Sequence, residues 1–287
     1  MSPFAHFNDF PLADTLDRGR FRPDTHYLGL GADRLFFGHS PEHPGSRYLI
    51  STTTNNGLEI DVLRTEIMTP SSGVFTPRYL GLFDTDGQNL SRDARRGTEA
   101  AFVEELPDGG PVSRALFDSS RHAAALGVQV GNILERLLIT NNEYLLGLRP
   151  EYVWVRVDRE LPIVTGIGGR NTAFFASASR NRDLPSARLF TQKYYAPEVS
   201  RNETFDDRAL VLTLAVMVAE WAIGEYPYPL DAAYGYWNLC AGRHRELRID
   251  RRLAELLETG MRPDPKERPS LASFVRTLAD VQRERFG

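Results

Sequence analysis

The feature that most constrains the fold is an almost unbroken apolar run about three quarters of the way along the chain. From Ala209 to Ala219 every residue is apolar except Thr213, whose side chain is small. A helix that is hydrophobic on all sides is stable in water only when other elements cover it. The run is also too short for a membrane span, which requires about 20 apolar residues. The sequence therefore predicts a central helix over residues 207–223, buried inside a sizeable domain.

The composition agrees with a folded chain large enough to contain such a core. Of its 287 residues, 41% are hydrophobic and 10% aromatic, which excludes general disorder. The formal net charge is -4 and no basic stripe is present, so nucleic acid and membrane surfaces are disfavoured as partners. The single cysteine, Cys240, excludes an internal disulfide framework and suits a reducing compartment. The first residues lack the pattern of a secretory signal, so we expect a cytoplasmic protein without membrane insertion.

The first hundred residues contain short β-prone segments separated by turns. Residues 1–25 have no period and are predicted to form an N-terminal extension. A helix is expected over residues 58–67, where apolar residues recur at helical spacing. The predicted strands lie at residues 35–37, 48–50, 79–83 and 100–103. The turn-rich segment 106–110 then marks a boundary between two lobes, at 26–107 and 108–287.

The rest of the chain is predicted to be mainly helical, with one hairpin. A helix is expected over residues 122–138, and strands at 152–157 and 163–165 have the alternation of a β-hairpin. The last helix should begin after Ser270, whose side chain can cap it. The predicted fold class is therefore α+β, with a small β-rich N-terminal lobe and a larger, mainly helical C-terminal lobe.

Two short motifs that flank the apolar run resemble motifs of the eukaryotic-type protein kinase family. Ala196, Pro197 and Glu198 match the family's A-P-E motif, and Arg268 lies in a matching segment at residues 264–270. In that family the arginine pairs with the glutamate, and a planar guanidinium can hold a carboxylate through two parallel hydrogen bonds. The alternative for each residue is an ordinary charged loop position. The resemblance covers residues 144–284 best, and implies the bilobal kinase fold with Glu198 and Arg268 as a structural ion pair.

The positions that carry catalysis in that family hold other residues here. Kinases use an aspartate to orient the attacking hydroxyl, and an asparagine and a second aspartate to hold Mg²⁺. The family's catalytic loop, H-R-D-L-x-x-x-N, aligns with residues 145–152, which places Gly147 at the base and Tyr152 at the asparagine. Arg149 occupies the loop position where the family usually has a lysine. The D-F-G motif aligns with residues 166–168, so Gly166 replaces the second metal ligand.

The resemblance is looser in the N-terminal lobe. Gly29 and Gly31 align with the glycine-rich phosphate loop, although a tight turn between strands explains them equally well. The V-A-I-K strand fits residues 48–51 and puts Ser51 where the family has its ATP-positioning lysine. Glu59, aligned with that lysine's helix partner, would then have no cation to pair with.

The resemblance therefore implies a pseudokinase, without catalytic residues, cofactor or metal. Loss of a metal removes several kcal/mol of transition-state stabilisation, and a positioned base contributes roughly 10²–10⁴-fold in rate. The expected function is a protein-binding scaffold or allosteric regulator, whose partner is an active kinase or another signalling component. The alternative is a nucleotide-binding enzyme of non-standard mechanism, acting through Arg149 and residues 166–170. A third possibility is a structural subunit of a larger assembly.

Two further sets of residues have a predicted role. Residues 166–195 combine several arginines with Ser177, Ser179 and Thr191. In the kinase family the corresponding segment is a switch ordered by phosphorylation, so the resemblance implies a candidate switch segment here. A solvated polar loop is the alternative. The three tryptophans are predicted to be core or groove residues, although Trp237 would also fit an exposed docking helix. They are Trp154, Trp221 and Trp237.

Overall fold

The described part of the chain falls into two units. The computed structural model describes residues 22–27, 34–40, 43–54, 78–83, 99–105, 110–112, 120–141, 144–146, 148, 150, 153–158, 161–167, 194–201, 203–229 and 235–287. One unit comprises Met1–Gly110 and Thr165–Ser177, and the other comprises Pro111–Val164 and Ala178–Gly287. Strands predominate in the first and helices in the second, so the described structure mixes the two element types.

The first unit contains a five-stranded antiparallel sheet, in the order β1-β2-β3-β5-β4. Its strands are β1 Arg22–Tyr27, β2 Arg34–Ser40, β3 His43–Thr54, β4 Arg78–Phe83 and β5 Glu99–Glu105. In its register Ile50 of β3 lies between Phe36 of β2 and Val103 of β5. The four strands predicted from the sequence between residues 35 and 103 are confirmed.

Strand β1 was not predicted from the sequence. It starts at Arg22, inside the segment expected to be an N-terminal extension. Its register shifts between Pro23 and Thr25, and proline is tolerated there because β1 is an edge strand whose outer side needs no N–H donor. Residues 22–25 of the predicted extension therefore lie in a strand that pairs with β2. Residues 1–21 and the helix expected at 58–67 lie outside the described residues.

The second unit is mainly helical and includes most of a small three-stranded sheet. The helices are α1 Ser120–Asn141, α2 Pro197–Ser200, α3 Arg208–Ile223, α4 Gly235–Cys240, α5 Arg251–Gly260 and α6 Leu271–Phe286. Strands β6 Gly110–Pro111, β7 Val153–Asp158 and β8 Leu161–Ile167 form a sheet in the order β6-β7-β8. The predicted hairpin is confirmed, with a tighter connection than expected because only residues 159 and 160 separate its strands.

Helix α3 is the centre of this unit. Every residue from Ala209 to Trp221 is buried, and α1, α5 and α6 all pack against it. Gly224 ends the helix in the left-handed conformation, with φ 74°. The prediction of a buried central helix is confirmed. No helix of the described residues has both the length and the apolar character required to cross a membrane.

Two glycines allow α1 to approach its neighbours closely. A Cβ atom at Gly127 would lie 2.5 Å from Val218 of α3 and 2.8 Å from Leu278 of α6. At Gly131 it would lie 2.5 Å from a methyl group of Val275. Glycine costs about 1 kcal/mol relative to alanine inside a helix. Here that cost is offset by contacts that a larger residue would block.

The core prediction is confirmed for two tryptophans, and the third agrees with the alternative of an exposed helix. Trp154 of β7 and Trp221 of α3 are 3% and 4% exposed. Trp237 of α4 is 66% exposed, so it is not a core residue. Among the α4 side chains whose burial the structure describes, that of Leu239 is buried.

Asp250 provides a pH-dependent contribution to stability. Its Oδ1 accepts hydrogen bonds from the amides of Arg252 and Leu253 at the start of α5, and its Oδ2 accepts one from Arg285 Nε at 2.9 Å. Burial alone would raise the pKa of Asp250, but the bonds from Arg285 and the two amides outweigh it and lower the pKa below the ordinary 3.8. The charged form is therefore the one that stabilises the fold.

We expect the Asp250→Asn variant to separate this charge effect from capping. Asparagine caps a helix about as well as aspartate, so the variant should lose mainly the interaction with Arg285. A group with a depressed pKa stabilises the fold above its unfolded pKa and loses that effect as the pH falls through its folded pKa. The stability difference between wild type and variant should therefore be constant at neutral pH and shrink below about pH 4. Urea unfolding at several pH values measures it, and a difference independent of pH would contradict the assignment. Asp250→Ala should cost about 1 kcal/mol more, through loss of the cap.

Candidate functional site

The candidate site begins with a buried ion pair between α2 and the segment before α6. Glu198 lies in α2, directly after Ala196 and Pro197, and Arg268 follows the short 3₁₀ turn Pro265–Glu267. The two η nitrogens of Arg268 donate to the two carboxylate oxygens of Glu198, each at 2.8 Å. The side chains are 0% and 3% exposed. The geometry is the parallel, two-bond arrangement expected of a guanidinium and a carboxylate.

The remaining N–H groups of Arg268 are also used. Its Nε donates to the carbonyl oxygen of Arg262 at 2.8 Å, and its η nitrogens donate to those of Arg208 at 2.8 Å and Pro263 at 3.0 Å. A guanidinium has five N–H donors, and all five have acceptors here. A buried charge is tolerated when its counter-charge and its remaining hydrogen bonds are both present. Arg268 therefore joins α2, the start of α3 and the start of the α5–α6 connection.

A second buried contact fixes the residues before α2 to the central helix. The Tyr194 hydroxyl donates to Glu220 Oε2 at 2.6 Å, and Thr213 Oγ1 donates to the Tyr194 carbonyl oxygen at 2.7 Å. Both partners are on α3 and both are buried. The segment 194–200 is consequently held at Tyr194 by α3 and at Glu198 by Arg268.

The sequence reasoning missed Tyr194 and Glu220, and it treated Thr213 only as a small residue. A signal for them was present, because buried polar groups require hydrogen-bond partners. Thr213 interrupts the apolar run and Glu220 directly follows it. Their partner could not be identified, because Tyr194 lies 19 and 26 residues away from them in the chain.

Aromatic rings extend this contact to Tyr226 and Tyr228. The rings of Tyr194 and Tyr226 meet edge to face with centroids 5.6 Å apart, and Tyr228 follows at 5.7 Å from Tyr226. Burial, the neighbouring phenol of Tyr228 and the Glu220 carboxyl group raise the pKa of Tyr226 far above its usual value. Burial likewise raises the pKa of Tyr228. Both phenols are therefore neutral at physiological pH and act as packing groups.

We expect Tyr194→Phe to destabilise the second unit by about 1–3 kcal/mol, because a buried carboxyl group loses a hydrogen-bond donor. The ring contact with Tyr226 would remain, so the variant isolates the hydroxyl. Tyr144→Phe is the matched control, since its ring packs edge to face on Phe205 at 5.5 Å while its hydroxyl has no hydrogen-bond partner among the described residues. Urea unfolding followed by circular dichroism compares the two. Equal midpoints for both variants would show that the Tyr194 hydroxyl contributes nothing.

The segment aligned with the catalytic loop is partly described and strongly buried. Leu145, Leu146 and Leu148 are 2%, 1% and 0% exposed, and the amide of Leu148 donates to the carbonyl of Leu145 at 3.3 Å. Pro150 is also buried. The apolar residues of this segment thus belong to the core of the second unit. Gly147, Arg149 and Tyr152 lie outside the described residues.

Strand β8, which contains Gly166, is attached to α1 by one side chain. Gln129 Nε2 donates to the carbonyl oxygen of Pro162 at 2.9 Å, and Gln129 Oε1 accepts from the amide of Val164 at 2.9 Å. The amide group thus pairs with the β8 backbone as a neighbouring strand would. Gln129 was not identified from the sequence, where it is one polar residue of a long helix.

Of the other predicted site residues, the structure describes only some. Ser51 lies in β3, opposite Leu35 of β2 and Phe102 of β5. Ser177, Ser179 and Thr191 of the candidate switch segment lie outside the described residues. Within the part of the chain that the structure describes, no three His, Cys, Asp or Glu side chains are grouped to hold a metal ion.

Comparison with known proteins links part of the chain to plant kinases. No protein-family profile matches it. The chain is 33% identical over 103 residues to serine/threonine-protein kinase STY17 of Arabidopsis thaliana, and 28% identical over 103 residues to serine/threonine-protein kinase STY46 of the same plant. Each similarity covers 34% of this chain and only 18% of the relative's length. The comparisons thus indicate a kinase-like relationship over about a third of the chain.

Proposed function

We propose that this protein is a catalytically inactive pseudokinase on a bilobal kinase fold, and that it acts as a protein-binding scaffold or allosteric regulator in a signalling or assembly complex. The partial similarity to two serine/threonine-protein kinases supports the kinase-like part of the proposal. The buried pair of Glu198 and Arg268 supports it independently, because it joins the two motifs on which the family resemblance rests.

The observation that supports the proposed lack of catalytic activity is the composition of the loop at residues 145–152. Its apolar residues are retained and lie in the core, as Leu146 and Leu148 show. Between them, at the position where kinases have the catalytic aspartate, the sequence has Gly147. Glycine has no side chain that could orient a hydroxyl group or accept its proton.

The other replacements act in the same direction. Tyr152 and Gly166 offer no carboxylate or amide oxygen for Mg²⁺, and Ser51 offers no cation for the ATP phosphates. Each lost factor of ten in rate corresponds to about 1.4 kcal/mol in the barrier. Loss of a positioned base and of the metal together would bring phosphoryl transfer close to the uncatalysed rate, even though such effects are not additive.

Two measurements test the proposal that the protein is inactive. Phosphoryl transfer from γ-labelled ATP to the protein itself and to a generic kinase substrate should stay at the level of a no-enzyme blank, with Mg²⁺ or Mn²⁺. Thermal unfolding with ATP should show no metal-dependent shift, whereas binding at 100 times the Kd would add about 2.7 kcal/mol of stability. Metal-dependent stabilisation together with label transfer would overturn the proposal. It would favour the alternative, an enzyme using Arg149 and residues 166–170.

The proposed scaffold function requires that the protein bind a partner protein. Affinity purification of the tagged full chain from its native cells, followed by mass spectrometry, should recover a stable complex with another protein. The control is the Arg268→Ala variant, which should lose the complex because the second unit is destabilised. A chain that is monomeric and without partners under all growth conditions would contradict the scaffold role.

A further inference from the structure

Helix α4 exposes a large aromatic side chain on the surface of the second unit. Trp237 is 66% exposed, and Ala241, four residues later on the same side, is exposed as well. Leu239 is fully buried and anchors the helix to the unit. An exposed tryptophan forgoes the stabilisation that its burial would provide, and tryptophan is one of the residues most enriched at the energetic centres of protein interfaces.

A rigid turn holds the residues after α4 beside it. Gly242 has φ 66°, its amide donates to the carbonyl of Leu239 at 3.0 Å, and the amide of Arg243 donates to that of Asn238 at 2.8 Å. These two bonds and the left-handed glycine form a Schellman motif. A Cβ atom at Gly242 would lie 3.0 Å from Pro263, so the turn is also packed against the α5–α6 connection. Arg243 is consequently fixed next to the end of α4.

The segment that follows α4 carries a net positive charge. Residues 241–249 contain three arginines and one glutamate. Arg248 pairs with that glutamate, Glu246, at 3.1 Å, and Arg245 lies 3.7 Å from Glu225 in a half-exposed pair. Arg243 is exposed and has no carboxylate partner among the described residues. The surface therefore combines an apolar ring with a cation that is available to a ligand.

We propose that Trp237, Ala241 and Arg243 form a docking site for an acidic peptide segment of a partner protein. In this site, an apolar side chain of the partner covers the indole ring and a neighbouring carboxylate pairs with Arg243. This inference rests on the proposed scaffold function and specifies the surface that serves it. An Arg–carboxylate pair at the edge of an apolar contact fixes the orientation of the bound peptide and makes binding selective for acidic sequences.

Other occupants fit this surface less well. In a symmetric dimer through the same surface, one basic patch would lie against a second copy of that patch, and like charges across an interface are unfavourable. Nucleic acid would meet a chain of net charge -4 with only a few local arginines. An acidic peptide segment with an apolar side chain complements both the indole ring of Trp237 and the positive charge of Arg243.

Selection of random twelve-residue peptides displayed on phage against the immobilised full chain tests the site. Enriched sequences should combine one large apolar residue with two or more acidic residues. Synthetic copies should protect Trp237 from iodide quenching, a signal specific to this residue because Trp154 and Trp221 are buried. Trp237→Ala and Arg243→Glu should each weaken binding at least tenfold, and raising the salt concentration should weaken it further.

The controls are surface variants of the same kind. Ile139→Ala removes another exposed apolar side chain, 83% exposed on α1, and Arg248→Ala removes an exposed arginine already paired with Glu246. Neither should alter peptide binding, and none of the four variants should alter the unfolding midpoint. The inference is overturned if no peptide is enriched, if the peptides are basic, or if they bind Trp237→Ala as tightly as wild type. Concentration-dependent self-association or oligonucleotide binding that Trp237→Ala abolishes would overturn it in favour of those occupants.

Failure of this inference can be distinguished from failure of the scaffold function. If the native complex forms with wild type and equally with Trp237→Ala, the scaffold role stands and the docking site lies elsewhere. If wild type forms no complex at all and transfers phosphate, the proposed function itself is wrong.

Discussion

Replacing Arg268 by alanine is expected to lower the free energy of unfolding of the second unit by about 3–5 kcal/mol. The variant would leave the Glu198 carboxylate, 3% exposed, without the guanidinium that compensates its charge. It would also remove the donors that satisfy the carbonyl oxygens of Arg262, Arg208 and Pro263. Because whole domains are stable by only about 5–15 kcal/mol, a loss of this size should lower the melting temperature by roughly 10 °C. Chemical and thermal unfolding both measure it.

The matched control is Arg262→Ala. Arg262 also pairs with a glutamate, Glu267, but at 3.4 Å and with both side chains about half exposed, 54% and 51%. Exposed pairs of this kind contribute about 0–1 kcal/mol. Replacing both Glu198 and Arg268 by methionine should cost less than Arg268→Ala alone, since no charge would then remain buried. Equal stability of the Arg268→Ala and Arg262→Ala variants would contradict this account of the pair.

The second large effect is expected from Gly127→Leu, at about 3 kcal/mol of destabilisation. Even the first side-chain atom would lie 2.5 Å from a methyl carbon of Val218 and 2.8 Å from one of Leu278. Helix α1 would therefore have to move away from both α3 and α6, which are themselves in contact. The loss should exceed the gain in helix propensity, about 1 kcal/mol. Urea unfolding measures the difference.

Asn132→Leu is the control for this substitution. Asn132 lies on the same helix but is exposed, so its replacement by leucine should leave stability unchanged or raise it slightly through propensity. If Gly127→Leu proves as stable as this control, the close approach of the three helices is not required for stability.

The sequence was sufficient for the elements whose pattern is local. The apolar run predicted α3 because a helix without a polar side has to be buried. Short β-prone runs between turns predicted strands β2 to β5, and alternation predicted the β7–β8 hairpin. Ser270 was correctly expected to cap α6, where its hydroxyl accepts from the amide of Ser273 at 3.3 Å. Strand β1 was missed because Pro23 breaks its pattern, and only its place at the sheet edge makes that proline acceptable.

The candidate site depended on contacts that no local pattern reveals. Arg268 and Glu198 were linked through motif resemblance, since 70 residues separate them in the chain. The bond from Tyr194 to Glu220 and the amide bridge from Gln129 to β8 were not predicted, because any of several polar residues would fit such a role. For Trp237 the structure agrees with the alternative of an exposed helix and not with a core position, because composition alone does not reveal that α4 turns its indole ring outward.

The burial of α3 has a consequence for how the protein is made. During synthesis, residues 208–223 leave the ribosome before those of α5 and α6, which later cover them. During that interval the apolar residues of this segment are exposed on the nascent chain, and exposed apolar surface promotes aggregation. We therefore expect chaperones to bind this segment during synthesis, and fragments that end before residue 271 to be insoluble, because the central helix precedes two of the helices that cover it.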